Sequence, residues 1–271
     1  MPAADTTPVL DAGPAVLVRR EAGIVRLTLN RPDQRNALDP GLAGALTVAV
    51  ERASADPDVR VVVITGAGSA FCAGAKLDTL LAASERGDVV GVRASFGVIE
   101  GVYRALLAAR PPLIAAVNGP ALAGGAGIVG CCDLVVASEK ASLGYPEVHL
   151  GLVPGMVLTL LVEQAGLRAA LDLALTGRRV TAEEAVRLGM VTEVISPDRL
   201  DSRVAELAGQ LAALRPGALA ATKRWAWSLA EGGRRLEQGR DLSTLLALTD
   251  EARAGMRSFF DRAARREGGR S

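Results

Sequence analysis

Between Ile24 and Asn30 apolar and polar residues alternate. Val25, Leu27 and Leu29 fall on one side of an extended chain and Arg26 and Thr28 on the other, the period of a half-buried strand. Asn30-Arg31-Pro32-Asp33 closes it. Asp39-Pro40 then offers a side-chain cap and a preset φ for a helix start, followed by Leu42, Leu46, Ala49 and Val50 at helical spacing. Asp56-Pro57-Asp58 stops that helix. Val59 to Thr65 is almost wholly apolar and predicts a buried strand closed by Gly66-Ala67-Gly68. A second cycle gives a helix around Val92 to Ala109, a strand Leu113 to Val117, a Gly-rich turn, and a short strand Asp133 to Ser138. Strand and helix alternate, so the class is α/β.

Beyond Pro154 the pattern turns helical. Thr181-Ala182-Glu183-Glu184 is a capping box for a helix that stops near Gly189, and Val191 to Ile195 reads as a last strand. Past Pro197 only amphipathic stretches remain: Arg199–Leu214, Pro216–Leu229, Leu236–Leu248 and Glu251–Arg265. The expected organisation is a loose tail over 1–14, an α/β core over 15–196 and a helical region over 197–271. Those helices either form a lid or present an oligomerisation surface. The second is favoured, because their apolar faces exceed what one small sheet can cover.

Composition narrows the chemistry. Lys and Arg number 31 against 30 Asp and Glu, a formal charge of +1, so no global field draws the chain to nucleic acid or anionic lipid. Cys72, Cys131 and Cys132 are an odd set without CxxC spacing, and His149 is the only histidine. A disulfide scaffold, a zinc site and a His-based triad are therefore not expected. The long uncharged run from Pro111 to Cys132 could span a membrane by length. It opens on two prolines and is broken by Asn118-Gly119-Pro120, which fits a buried strand, a loop and a short helix better. With no basic, apolar signal at the start, the expected location is the cytoplasm.

Glycine clusters are the first candidates for chemistry. Gly125-Ala126-Gly127-Ile128-Val129-Gly130 matches the dinucleotide fingerprint, with Glu147 about where a ribose-binding acid would fall. The next strand begins so soon after Gly130 that no crossover helix fits, and Glu147 sits beside Pro146 rather than at a strand end. Two other stretches, Gly66 to Ala75 and Asn118 to Gly125, each follow a buried strand and are small enough for the backbone to approach a ligand. One peptide N–H from each could converge on a carbonyl oxygen and stabilise negative charge there. Tight packing alone would also explain such small residues.

Four blocks together resemble the enoyl-CoA hydratase/isomerase (crotonase) superfamily: Asn30 to Leu38, Phe71-Cys72-Ala73-Gly74-Ala75, Asn118 to Asp133, and Pro146 to Gly155. The resemblance runs from about Ala15 to Arg265. It implies a spiral of ββα repeats followed by helices that assemble trimers, often paired into hexamers. It also implies an acyl-CoA substrate, with coenzyme A entering as part of that substrate and no separate cofactor or metal. Ala75 and Gly124 are similar to the oxyanion-hole positions, and Ala37 and Ala73 to positions whose backbone meets the adenine and pantetheine end. Arg35 would lie near the CoA phosphates, Phe259 and Arg262 look like tail residues that close over CoA, and Lys76, Leu77 and Gly125 flank the oxyanion positions.

The acids separate the possible reactions. Hydratases of this family typically hold water between two glutamates. Glu147 matches the second, whereas the first position is occupied by Gly127. A carboxylate in a Pro- and Gly-rich apolar cavity would have a raised pKa suited to proton transfer. The text around Gly127 resembles a bacterial branch similar to methylglutaconyl-CoA hydratases, which also carry glycine there. That similarity favours hydration of an α,β-unsaturated thioester with Glu147 as the single acid/base. A Δ3,Δ2-enoyl-CoA isomerase using the same glutamate and a catalytically silent acyl-CoA binder are the alternatives. Lys76 stands where the family usually has an acid; it is either a surface lysine or a cation for a carboxylated acyl chain or for phosphate. His149 would face the same way as Glu147 if the run were extended, and is otherwise structural. Cys131 and Cys132 read as core.

Overall fold

The computed structural model describes residues 15–230 and 232–268; the expected tail over 1–14 lies outside them. The chain opens with a hairpin, β1 (Val16–Glu21) and β2 (Ile24–Leu29), paired antiparallel so that Glu21 faces Ile24. Ala22 and Gly23 both have positive φ, 45° and 78°, which is what a two-residue hairpin turn of matching twist requires. Parallel strands then extend the sheet: β3 (Val61–Gly66), β4 (Leu113–Val117), β6 (Leu134–Ser138) and β9 (Glu193–Ile195), in the order β1-β2-β3-β4-β6-β9. Every residue of β3 and β4 is buried, because both faces of a parallel sheet are covered. One face carries α1 (Pro40–Ala55) and α3 (Val89–Ala108) in the main core. The other carries α7 (Leu200–Ala212), whose Leu200, Val204 and Ala208 meet Val61, Val63, Ile114 and Ala116.

Capping follows the sequence. The Asp39 carboxylate accepts from Leu42 N–H at 2.7 Å and opens α1, and the Thr181 hydroxyl accepts from Glu184 N–H at 3.2 Å to open α6 (Ala182–Arg187). The Pro111-to-Cys132 run becomes β4, a loop with the two-residue strand β5 (Ala121–Leu122), and the seven-residue α4 (Gly124–Gly130). Among the described residues no helix is long and apolar enough to cross a membrane. A small second sheet joins β5, β7 (Ser142–Gly144) and β8 (Arg179–Thr181). It places the turn Pro146–Leu150 directly after β7.

Helices α2 (Leu77–Glu85), α5 (Gly155–Thr176), α8 (Pro216–Leu229), α9 (Leu236–Ala247) and α10 (Asp250–Gly268) complete the fold. In α5, Gly166 adopts a non-helical φ of 74° and divides the helix in two. Lys223 of α8 is buried against Asp133 at 2.8 Å and donates to Pro111 O at 3.1 Å, while Trp227 Nε1 donates to the other Asp133 oxygen at 2.8 Å. That network ties α8 to the end of β4, where Leu113 N–H also donates to Asp133. The end of the chain turns back on the body: Ala247, Ala252 and Met256 pack with Leu80, Ala83, Leu150 and Leu152. A side chain on Gly255 would begin 2.4 Å from Leu150 O, so α10 lies in close contact with the Pro146–Leu150 turn.

Candidate active site

Two loops leave the carboxyl ends of adjacent parallel strands, β3 and β4, and meet. Asn36 fixes the first. It is fully buried, accepts from Arg31 N–H at 2.8 Å, and donates to the carbonyls of Ala67, Ala70 and Phe71 at 2.9, 2.9 and 3.2 Å. Further along the same loop, Ala75 forms a parallel bridge with Leu38, which lies in the segment between β2 and α1. Leu38 N–H donates to Gly74 O at 2.7 Å and Lys76 N–H donates to Leu38 O at 2.9 Å. In a parallel bridge the bracketed residue turns its own N–H away from the partner. The Ala75 N–H is thus directed to the opposite side, where Ala75 lines a cavity of about 510 Å³.

The second loop ends at Ala123, which holds φ 50° and ψ −120°, a conformation rare for a residue with a Cβ. Its N–H donates to Gly144 O at 2.8 Å, anchoring the turn on β7. The chain then enters α4, so Gly124 N–H is one of the first amides of a helix and has no intrahelical acceptor. A Cβ placed on Gly124 would lie 3.7 Å from Ala75 N. The two amides therefore converge on one small space, and Gly124 also lines the cavity.

Glu147 approaches that space from the Pro146–Leu150 turn. Its Oε2 is buried and, among the described residues, is the only such side-chain oxygen or nitrogen without a hydrogen-bond partner. Burial pushes its pKa up to about 7, against a smaller opposing hydrogen bond from its own backbone N–H. Pro146 starts this turn and Gly151, at φ 68°, ends it. The run is a 3-10 turn, not a strand, so the condition under which His149 would face as Glu147 does is not met. In a helix of three residues per turn, side chains two positions apart diverge. His149 is exposed at the rim of the cavity, its ring lying over Gly177.

Of the other sequence candidates, Arg35, Ala73, Leu77, Phe259 and Arg262 line the same cavity. Arg35 is exposed, and Arg262 donates to Ser258 Oγ at 2.7 Å one turn earlier in α10. Ala37, Lys76 and Gly125 do not line it. Lys76 forms a surface ion pair with Asp78 at 3.6 Å and borders a separate crevice. Gly125 is a packing position, since a Cβ there would begin 2.3 Å from Cys72 O. The rest of the wall is mainly apolar, formed by Leu80, Phe96, Ile99, Leu152, Met156 and Val157, with Tyr103, Ser243 and the exposed Arg179 its polar members.

Three residues that shape the site were not singled out from the sequence: Asn36, Ala123 and Tyr103. Tyr103 comes from the middle of α3, is fully buried, and its hydroxyl donates to Gly124 O at 2.9 Å. Its only sequence signal is indirect: a glycine at 127 leaves space that some other side chain has to fill. Together, two inward amides beside one buried acid can hold an oxygen that gains negative charge while a proton moves next to it.

Comparison with known proteins identifies the family. The family model for enoyl-CoA hydratase/isomerase matches residues 19–266. A candidate enoyl-CoA hydratase of Thermus thermophilus is 41% identical over 251 residues, covering 91% of this chain and 98% of that protein. The 2,3-dehydroadipyl-CoA hydratase of Escherichia coli is 35% identical over 250 residues, covering 91% and 96%. The crystal structure of an enoyl-CoA hydratase/isomerase from Mycobacterium paratuberculosis superposes with a TM-score of 0.84 at 30% identity, covering 92% of this chain and 99% of its own. The spiral α/β core, the C-terminal helices and these matches together make the chain an enzyme of the enoyl-CoA hydratase/isomerase family.

Proposed function

We propose that the protein hydrates a 2-enoyl-CoA with an apolar acyl chain. The thioester oxygen lies between the N–H groups of Ala75 and Gly124, and Glu147 moves the proton. The oxygen of water bonds to C3 as its proton passes to the Glu147 carboxylate. The π electrons move onto the thioester oxygen, where the two amides hold the enolate. The Glu147 carboxyl then returns the proton to C2, leaving a 3-hydroxyacyl-CoA and the original carboxylate. One acid suffices because the proton it removes is the proton it gives back.

The observation that carries this reading is Glu147 Oε2, buried without a hydrogen-bond partner on a residue of the cavity that Ala75 and Gly124 also line. A pKa near 7 lets it both accept and donate at neutral pH. The mainly apolar wall suits a hydrocarbon chain; Lys76 is paired with Asp78 outside the cavity, and the lining cation Arg179 is exposed. Arg35, Phe259 and Arg262 at the rim suit the phosphates and adenine of CoA, with the Ala73 backbone beside its pantetheine arm and Ala37 behind it. Homotrimers, single or paired, are the assembly to expect. Leu167, Leu171 and Leu175 form a solvent-facing stripe on α5, and Trp225 and Leu229 on α8 are two-thirds exposed.

The isomerase reading keeps one specific support, the absence of an acid at Gly127, since a double-bond shift needs only one carboxyl. Absorbance of the conjugated enoyl-thioester separates the two. A hydratase removes conjugation from a 2-enoyl-CoA and an isomerase creates it from a 3-enoyl-CoA. Conjugation appearing from the 3-enoyl substrate with none lost from the 2-enoyl substrate would reverse the assignment, and no change in either would leave a silent binder.

A further inference from the structure

Water delivered to C3 carries two protons, and the proposed mechanism accounts for one. The second must point somewhere in an apolar cavity, where an unmatched O–H costs on the order of 1–3 kcal/mol. The arginines and His149 of the lining stand at the exposed rim. Two lining hydroxyls are buried, Tyr103 and Ser243. Ser243 belongs to α9 and packs against Gly155, with Val153 O at 3.3 Å. Tyr103 Oη stands beside the converging amides: a Cβ on Gly124 would be 3.6 Å from Tyr103 Oη and 3.7 Å from Ala75 N.

Tyr103 also occupies the space above Gly127. A Cβ on Gly127 would begin 2.1 Å from Tyr103 Oη and 2.4 Å from its Cζ. The phenol, on a residue that lines the cavity, thus fills the space that a side chain at position 127 would take. Its proton is committed to Gly124 O at 2.9 Å, which leaves acceptor capacity on the oxygen of a residue that lines the cavity. Burial and the nearby Glu147 charge both hold this phenol in its protonated form, so its hydrogen bond to Gly124 O persists at neutral and alkaline pH.

We propose that Tyr103 is a further catalytic residue: its hydroxyl oxygen accepts one O–H of the attacking water while Glu147 takes the proton of the other. Water is then held on both sides and its oxygen is aimed at C3. No bond to Tyr103 is made or broken and its proton stays on Oη, so the balance of the step is unchanged. The inference rests on the hydratase reading above.

The test is Tyr103→Phe in the full chain, with two assays run beside the wild type. Hydration of 2-butenoyl-CoA needs positioned water. Exchange of the C2 protons of butyryl-CoA with D2O needs only Glu147 and the two amides. The expected result is a fall in hydration kcat of roughly 30–100-fold, the lower range of positioned acid–base groups, with KM and C2 exchange within about twofold of wild type. Hydration that is undiminished in the variant overturns the proposal. So does a parallel fall in exchange, because Tyr103 would then act by propping Gly124 rather than by holding water. A wild type that exchanges C2 protons without hydrating any 2-enoyl-CoA removes the hydratase reading itself. That failure is told apart from the others by appearing before any substitution is made.

Discussion

Gly74 and Ala123 touch where the two loops of the site cross: a Cβ on Gly74 would begin 2.9 Å from the Cβ of Ala123 and 2.8 Å from Leu122 O. Gly74 also holds φ 89°, a conformation that L side chains rarely adopt. The peptide that carries the Ala75 N–H is therefore set by two conditions only glycine meets. Gly74→Ala is expected to lower kcat at least about 100-fold, the scale for loss of one oxyanion donor, while far-ultraviolet circular dichroism stays native. Wild-type turnover in a folded variant would show that Ala75 N–H takes no part.

Glu147 links activity to pH and to stability. As the base, its carboxylate is required in the free enzyme, so kcat/KM should fall as pH drops below about 7. Glu147→Gln should remove the hydration rate by at least about 100-fold with little change in CoA affinity.

The same group costs stability when ionised. Its folded pKa of about 7 lies above the ordinary 4.5, so the folded state binds the proton more tightly. Stability is full below the lower value and falls as pH rises through the folded value, by about 3 kcal/mol in total. Glu147→Gln is neutral throughout, so its urea midpoint should exceed wild type at pH about 8 and show no such gain near pH 4. An equal offset at both pH values would mean the carboxyl is not buried in solution.

Position 127 and Tyr103 exclude one another, with 2.1 Å between a Cβ at 127 and the phenol oxygen. Gly127→Ala should destabilise the protein by about 1–3 kcal/mol, the usual cost of overpacking a core. In a Tyr103→Ala background the same change should cost clearly less. A double-mutant cycle from urea melts measures the difference, and additive effects would contradict the contact.

Asn36 is the test of the loop scaffold. Replacing it by Ala leaves the carbonyls of Ala67, Ala70 and Phe71 without their donor in a buried setting. A loss of about 3 kcal/mol is expected, the upper range for a buried polar group stripped of partners. Turnover should fall too, because this loop carries Ala75. Unchanged urea midpoint and turnover would show the loop is held by other contacts.

The strand and helix boundaries that could be read from local pattern were those with a local cause. Asp39 and Thr181 cap the helices their sequence announced, and β3 and β4 are buried throughout as their apolar runs required. Hairpin strand β1 escaped because Ala22, at φ 45°, takes a turn role that composition assigns to Asn or Asp. The two-residue β5 and three-residue β7 and β8 are too short to show a period, and they exist through pairing with distant segments.

The chain's own text determined its α/β class, its family blocks and the presence of Glu147, because period, capping chemistry and residue order are properties of neighbours along the chain. It could not determine that Glu147 Oε2 is buried without a partner and that its pKa rises to about 7, since burial depends on which distant segments pack around the Pro146–Leu150 turn, α10 among them. Nor could it place Tyr103 over Gly127, 24 positions away on another helix. Tertiary packing decided both, because the charge state of a group and the space before it are set by whatever atoms surround it, whichever part of the chain supplies them.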